Sequence, residues 1–265
     1  MISLRDTFLQ AKKDGRLLVA LTAYDYPTAR LVEESEAVDL ILVGDSLGMV
    51  VLGYPDTTAV TIADMLHHTR AVARGAKKTT VVADLPSGSY DQPGPALANA
   101  RALMETGAAA VKLEGGESMA PIIATLTAAG IPVLAHIGML PQHIHEEGGY
   151  KIKGRTPQQA GQLLADARAV EAAGAFAVVL ELVTPPLAHE ISEALAIPTI
   201  GIGSGEGCDG QIRVLHDVIG LYPWFRPKFV QPKADVAGAI RNAVRAYASD
   251  VRGENPPENP SLTGK

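Results

Sequence analysis

Five apolar runs in this chain each stop at a charged or polar residue, and that recurrence limits what the chain can become. They are Leu40-Ile41-Leu42-Val43 before Gly44-Asp45-Ser46, Val81-Val82-Ala83 before Asp84, Val111-Lys112-Leu113 before Glu114, Val133-Leu134-Ala135 before His136, and Val178-Val179-Leu180 before Glu181. A short apolar run bounded by turn residues reads as a buried strand, and strands apolar on both faces belong to covered parallel sheets. In α/β folds ligands bind at the C-terminal ends of such strands. The polar stops would then share one mouth.

Between the runs the periodicity is helical. Strands are expected over residues 17–23, 39–43, 79–84, 109–114, 131–136, 176–181 and 197–201, with a weak eighth at Phe229-Val230. Helices are expected over 27–36, 61–74, 95–106, 118–129, 156–173, 185–194 and 234–249. Strands alternating with helices mean a parallel sheet, and eight such units favour closure into a (β/α)8 TIM barrel over an open doubly wound sheet. The spacing therefore predicts one barrel domain over residues 1–250. An amphipathic helix within 1–16 would cover the barrel bottom, and 251–265 would be a disordered tail rich in Pro and Gly. Residues 47–60 and 137–155 are long, aperiodic connections of the kind that carry function.

A chain of 265 residues, 47% of them hydrophobic, is long enough for a sizeable core. A net charge of −6 argues against a nucleic-acid partner, whose phosphates need a basic surface. No apolar run reaches membrane length and no leader is evident, so a cytoplasmic protein without a membrane partner is expected. The single cysteine, Cys208, excludes an internal disulfide and reads first as a packed small residue.

Asp45, Asp84 and Glu114 end neighbouring strands. Each alone could cap a helix or pair with a base. Three oxygen donors in register, with no thiol, suit a hard cation, Mg²⁺ above all. Lys112 and Glu114 are two apart on one strand and share a face, so Lys112 can hold an anionic substrate while balancing Glu114. Glu181 is a candidate general base or one half of a salt bridge. His136 reads as a positioning group before a ligand. His143 and His145 are polar loop residues, and His67 and His68 are helix-surface positions. The glycine run from Gly201 to Gly207 lacks the lysine of a P-loop and the context of a dinucleotide fingerprint. These residues alone support metal-assisted enolate chemistry on a small 2-oxo acid.

Seven motifs, in this order and spacing, resemble the ketopantoate hydroxymethyltransferase family. They are Leu21-Thr22-Ala23-Tyr24-Asp25, Val43-Gly44-Asp45-Ser46-Leu47-Gly48, Val111-Lys112-Leu113-Glu114-Gly115, His136-Ile137-Gly138, Gly148-Gly149-Tyr150-Lys151, Leu180-Glu181 and Gly201-Ile202-Gly203. The resemblance spans residues 1–250. It implies a barrel of the phosphoenolpyruvate/pyruvate type, with Mg²⁺ at Asp45, Asp84 and Glu114. It implies a 2-oxo acid bound by Asp45, Ser46, Asp84, Lys112 and His136, with Glu181 as proton acceptor. It further implies 5,10-methylenetetrahydrofolate as co-substrate and a homodecamer. Met139-Leu140, Glu147, Ser204 and the segment Lys228–Lys233 depart from the family pattern. A carbon–carbon lyase or mutase on the same barrel, and a non-catalytic metabolite-binding barrel, are the competing readings.

Overall fold

The computed structural model describes residues 3–254. The chain runs α1 (Leu4–Lys13), β1 (Leu18–Thr22), α2 (Tyr26–Glu34), β2 (Leu40–Val43), α3 (Leu47–Val50), α4 (Ile62–Gly75), β3 (Thr80–Asp84), α5 (Pro93–Glu105), β4 (Ala110–Glu114), α6 (Ala120–Ala128) and β5 (Val133–Gly138). It continues through α7 (Ile144–Glu147), α8 (Pro157–Ala172), β6 (Ala177–Glu181), α9 (Pro185–Ala194), β7 (Thr199–Ile202), β8 (Gly210–Arg213), α10 (Leu215–Val218) and α11 (Val236–Arg252). The strands close in chain order, every adjacent pair parallel, with β8 returning to β1. This is the expected (β/α)8 barrel. Two compact units are distinguished: Met1–Val214 holds the eight strands, and the second begins at Leu215 and holds α10 and α11.

Side chains alternate across a strand, so every second residue faces the barrel axis. Leu18, Leu40, Val82, Ala110, Leu134, Val179, Ile200 and Ile212 are buried together in one inward cluster. Two residues beyond Val82, Ala110, Leu134 and Val179 stand Asp84, Lys112, His136 and Glu181. These four therefore face inward one layer above the aliphatic core. Register reinforces this, pairing Asp84 with Lys112, Glu114 with His136 and Gly138 with Glu181.

The other end is closed by α1. Ser3 caps it by accepting from the Asp6 N–H. Its Phe8 packs edge-on against Phe176 at the start of β6, with ring centroids 5.0 Å apart. Lys12 donates to the carbonyls of Ser192 and Ile197 and to Asp209 Oδ2. α1 is thus tied down by its cap, by Phe8 and by Lys12.

The eighth strand is not Phe229-Val230, which forms a turn in the second unit, but Gly210–Arg213. That strand has a single large apolar side chain, Ile212, so its hydrophobic signal is faint. Its glycine is obligatory: a Cβ at Gly210 would lie 2.5 Å from the Leu18 carbonyl oxygen across the sheet. Three boundaries also differ. The 47–60 connection opens with the helical turn α3, and 137–155 contains a 3₁₀ turn, Pro141–His143, followed by α7. The last helix continues three residues past 249 to Arg252, where Gly253 ends it with a left-handed φ of 67°. The rest of the expected tail, 255–265, lies outside the described residues.

Candidate active site

All seven sequence-predicted residues meet at the barrel mouth. Asp45 follows β2, and its backbone N–H donates to Asp84 Oδ2 (3.0 Å). Lys112 Nζ donates to Asp84 Oδ1 (2.7 Å). Asp84 is thus held from both sides, by a charge from β4 and a backbone amide from the β2 end. Ser46 Oγ lies 2.9 Å from the Tyr24 hydroxyl at the end of β1.

His136 lies between two carboxylates, with Nδ1 3.4 Å from Glu114 Oε1 and Nε2 3.3 Å from Glu181 Oε2. Neither nitrogen is aligned for a hydrogen bond, so the contacts are those of an ion pair. Side-chain exposure is 1–6% for Glu114, Asp84, His136 and Lys112, against 13% for Glu181. Glu181 is the member turned toward the opening. Its backbone is fixed by Gly138, whose φ is +101° and whose Cβ, if present, would lie 2.3 Å from the Glu181 carbonyl oxygen. No β-carbon fits there.

The electrostatics follow from crowding ions in a dry mouth. Burial works against a charged His136, but Glu114 and then Glu181 outweigh it and push its pKa up to about 9. His136 is an imidazolium at neutral pH. Burial also opposes the Glu114 charge, and His136 and Lys112 with the Gln142 N–H overcome it, holding that carboxyl below its ordinary value. Lys112 loses from burial and gains more from Asp84, Glu114 and Asp45, so its pKa rises. Asp45 is the strained member. Burial, then the charges of Asp84 and Glu114, drive its pKa well above the ordinary carboxylate value.

Four carboxylates face two cations here, and a negative charge is most costly at Asp45. A divalent cation would relieve it, so the donor set fits magnesium in charge and in hardness. Asp45 Oδ1 accepts no hydrogen bond among the described residues, which leaves it open as a donor. Among the described residues, no three or more His, Cys, Asp or Glu side chains converge as a ready-made cage. That suits a cation that keeps waters and substrate oxygens around one or two carboxylates.

Two participants were not legible in the sequence. Gln142, in the 3₁₀ turn after β5, donates through Nε2 to Asp45 Oδ2 (2.8 Å), and its backbone N–H donates to Glu114 Oε2 (3.0 Å). Tyr90, in the turn after β3, donates to Gln142 Oε1 (2.5 Å). Their one signal is placement: a glutamine and a tyrosine within connections above strand ends.

The remaining candidates lie elsewhere. His143 pairs with Glu146 (2.9 Å) and His145 with Asp56 (3.1 Å). His67 is exposed, whereas half-buried His68 donates from Nδ1 to the Tyr24 carbonyl (2.6 Å), a bond the surface reading of both did not contain. Cys208 is buried, which pushes its thiol up and away from nucleophilic use. The late glycine run serves packing. Cβ atoms at Gly205 and Gly207 would lie 2.7 and 2.8 Å from Pro185 and His189 of α9.

Comparison with known proteins places the chain among relatives of one kind. The family model described as "Ketopantoate hydroxymethyltransferase" matches residues 4–259. A 3-methyl-2-oxobutanoate hydroxymethyltransferase of Carboxydothermus hydrogenoformans is 52% identical over 251 residues, 94% of this chain and 91% of the relative. One from Thermus thermophilus is 54% identical over 239 residues, 90% of this chain and 91% of the relative. Among solved structures, phosphonopyruvate hydrolase with oxalate and Mg++ superposes with a TM-score of 0.65 at 16% identity, covering 99% of this chain and 92% of that one. A 2,3-dimethylmalate lyase gives 0.63 at 20% identity, with 99% and 92% covered. The last two share the fold.

Proposed function

The chain belongs to the ketopantoate hydroxymethyltransferase family, and from that premise we propose that its barrel mouth transfers a hydroxymethyl group to 3-methyl-2-oxobutanoate, giving 2-dehydropantoate. The donor is 5,10-methylenetetrahydrofolate, and the step belongs to pantothenate biosynthesis in the cytoplasm. The observation that carries this reading is the inward row Asp84, Lys112, His136 and Glu181, one layer above an aliphatic core, with Asp45 and Glu114 beside it.

Each residue has a definable task. Lys112, kept cationic by three carboxylates, binds the carboxylate end of the 2-oxo acid. Ser46, with Tyr24, hydrogen-bonds the substrate from the β1–β2 side. Magnesium held by Asp45 and Asp84, with Glu114 beside it, would polarise the keto oxygen, acidify the C3 hydrogen and stabilise the charge that develops. Glu181, the most open carboxylate of the set, accepts the C3 proton. The His136 imidazolium beside it holds the carboxylate in place. The C3 nucleophile then bonds to the one-carbon unit of the folate, its two C–N bonds break, water supplies the hydroxyl, and tetrahydrofolate leaves.

The lyase and mutase reading is not favoured, since its support is a fold shared at 16–20% identity. The non-catalytic reading leaves the crowded mouth without a use. We assign the chain to a homo-oligomer, a decamer in keeping with the family. Supporting this, Ile240, Val244, Tyr247 and Val251 form an exposed apolar stripe on α11. No helix among the described residues is long and apolar enough to cross a membrane.

The test is product formation with purified protein. Wild type with Mg²⁺, 3-methyl-2-oxobutanoate and the folate donor is expected to form 2-dehydropantoate, and to form none when the donor is omitted. Asp84→Ala is expected to abolish product and to lower Mg²⁺ binding in calorimetry. Product formation independent of the folate would refute the assignment.

A further inference from the structure

Gln142 is uncharged, buried and donated by the aperiodic connection after β5, yet it touches two of the carboxylates on which the reaction depends. Its amide orientation is determined by its partners. Nε2 faces the Leu85 carbonyl oxygen (3.0 Å), which can only accept, as well as Asp45 Oδ2. Oε1 must then accept, and the Tyr90 hydroxyl supplies the hydrogen. With its hydrogen so committed, the Tyr90 oxygen accepts from the Glu114 N–H at 3.3 Å. The backbone N–H of Gln142 closes the ring onto Glu114 Oε2.

The result is a directed circuit, Glu114 N–H to Tyr90, Tyr90 to Gln142, Gln142 N–H back to Glu114, with one arm to Asp45. Every member is buried. Three connections contribute, those following β2, β3 and β5, together with the last residue of β4. A buried network is worth most when every donor and acceptor is used, and here each polar atom of the Gln142 and Tyr90 side chains has a partner. The circuit engages one oxygen of Asp45, Oδ2.

We propose that Gln142 is a positioning residue that fixes Asp45 and Glu114 for the cation, and that Tyr90 acts through it by setting the orientation of its amide. This rests on the magnesium assignment above, and it extends the site to a segment otherwise without a role. It differs from the carboxylates' own role because removing Gln142 changes no charge. The side-chain hold on Asp45 is lost, while the backbone N–H that Gln142 offers Glu114 survives the substitution and is weakened only as far as the turn loosens.

The experiment compares wild type, Gln142→Met, Tyr90→Phe and the double variant. Mg²⁺ affinity is measured by calorimetry with 3-methyl-2-oxobutanoate present, and hydrogen exchange is followed by mass spectrometry over 139–147. Partners behind metal ligands typically change affinity by about 10–100-fold. A loss in that range is expected for Gln142→Met, a smaller loss for Tyr90→Phe, and no further loss in the double variant, because residues acting through one another are non-additive. Faster exchange over 139–147 is expected in both single variants. Unchanged affinity in folded Gln142→Met, or additive losses in the double variant, would overturn the proposal. If wild type itself binds no Mg²⁺, the magnesium assignment fails and the exchange data alone decide whether Gln142 anchors this segment. Unchanged exchange then refutes it. If Gln142→Met does not fold, Tyr90→Phe decides between the same two outcomes through its smaller shift in both readouts.

Discussion

Ser204 holds the backbone behind the proposed base. Its buried Oγ accepts from the Val183 N–H (3.0 Å) and donates to the Leu180 carbonyl (2.7 Å). These two groups bracket Glu181 and Leu182, and Leu182 sits at a left-handed φ of 49° that a leucine adopts only when its surroundings enforce it. Ser204→Ala is expected to cost about 1–2 kcal/mol in chemical denaturation, since it strands a buried donor and acceptor. Glu147 is similarly local: its carboxylate pairs with Lys153 at the far end of the same connection. Residues that carry charge at strand ends, such as Asp84 and Glu181, were readable from sequence because a charge closing an apolar run is costly without a task. Gln142 and Tyr90 were not, because a neutral polar residue in a polar loop is indistinguishable from its solvated neighbours until its partners are in place.

Among the secondary elements, the join of α2 to the segment before β3 depends on a single side chain. Glu33 Oε2 accepts from the backbone N–H groups of Lys77, Lys78 and Thr79 at 2.7, 2.7 and 3.0 Å. Burial opposes its charge, but these amides outweigh it and hold the carboxyl down at about 2, from 4.5. A depressed carboxylate contributes stability that is full above its unfolded pKa and is lost as pH falls through its folded one. Wild type is therefore expected to exceed Glu33→Gln in thermal midpoint at pH 7. The gap should narrow between pH 4.5 and about 2 and close below that. A gap that persists at pH 1.5 would contradict the assignment. Seven strands were legible because continuous Val, Ile and Leu runs are diagnostic of a covered parallel sheet. β8 escaped because its hydrogen bonds to β1 and β7, and not its own side chains, make it a strand. Phe229-Val230 had the opposite fault, apolar residues without strand neighbours.

Five strand ends, those of β2 to β6, bring residues from positions 45 to 181 into one mouth, and no single motif could have forecast their mutual distances. The number and order of units forecast the convergence, and the barrel's register then set which carboxylate faces which cation. The exposed stripe on α11, where Tyr247 and Val251 are 70% and 68% exposed, bears on assembly. Light scattering is expected to give ten times the chain mass for wild type and a lower mass for the double variant Val244→Glu/Tyr247→Glu. A monomeric wild type would remove the decamer assignment while leaving the site untouched. The central claim is proton removal from a 2-oxo acid by Glu181, and it is tested most directly by following the C3 hydrogen of 3-methyl-2-oxobutanoate by NMR in D₂O with Mg²⁺ and no folate. Wild type is expected to exchange that hydrogen with solvent. Glu181→Gln is expected to bind the acid with similar affinity and to exchange it at least about 100-fold more slowly. Exchange at the wild-type rate in Glu181→Gln would contradict the account.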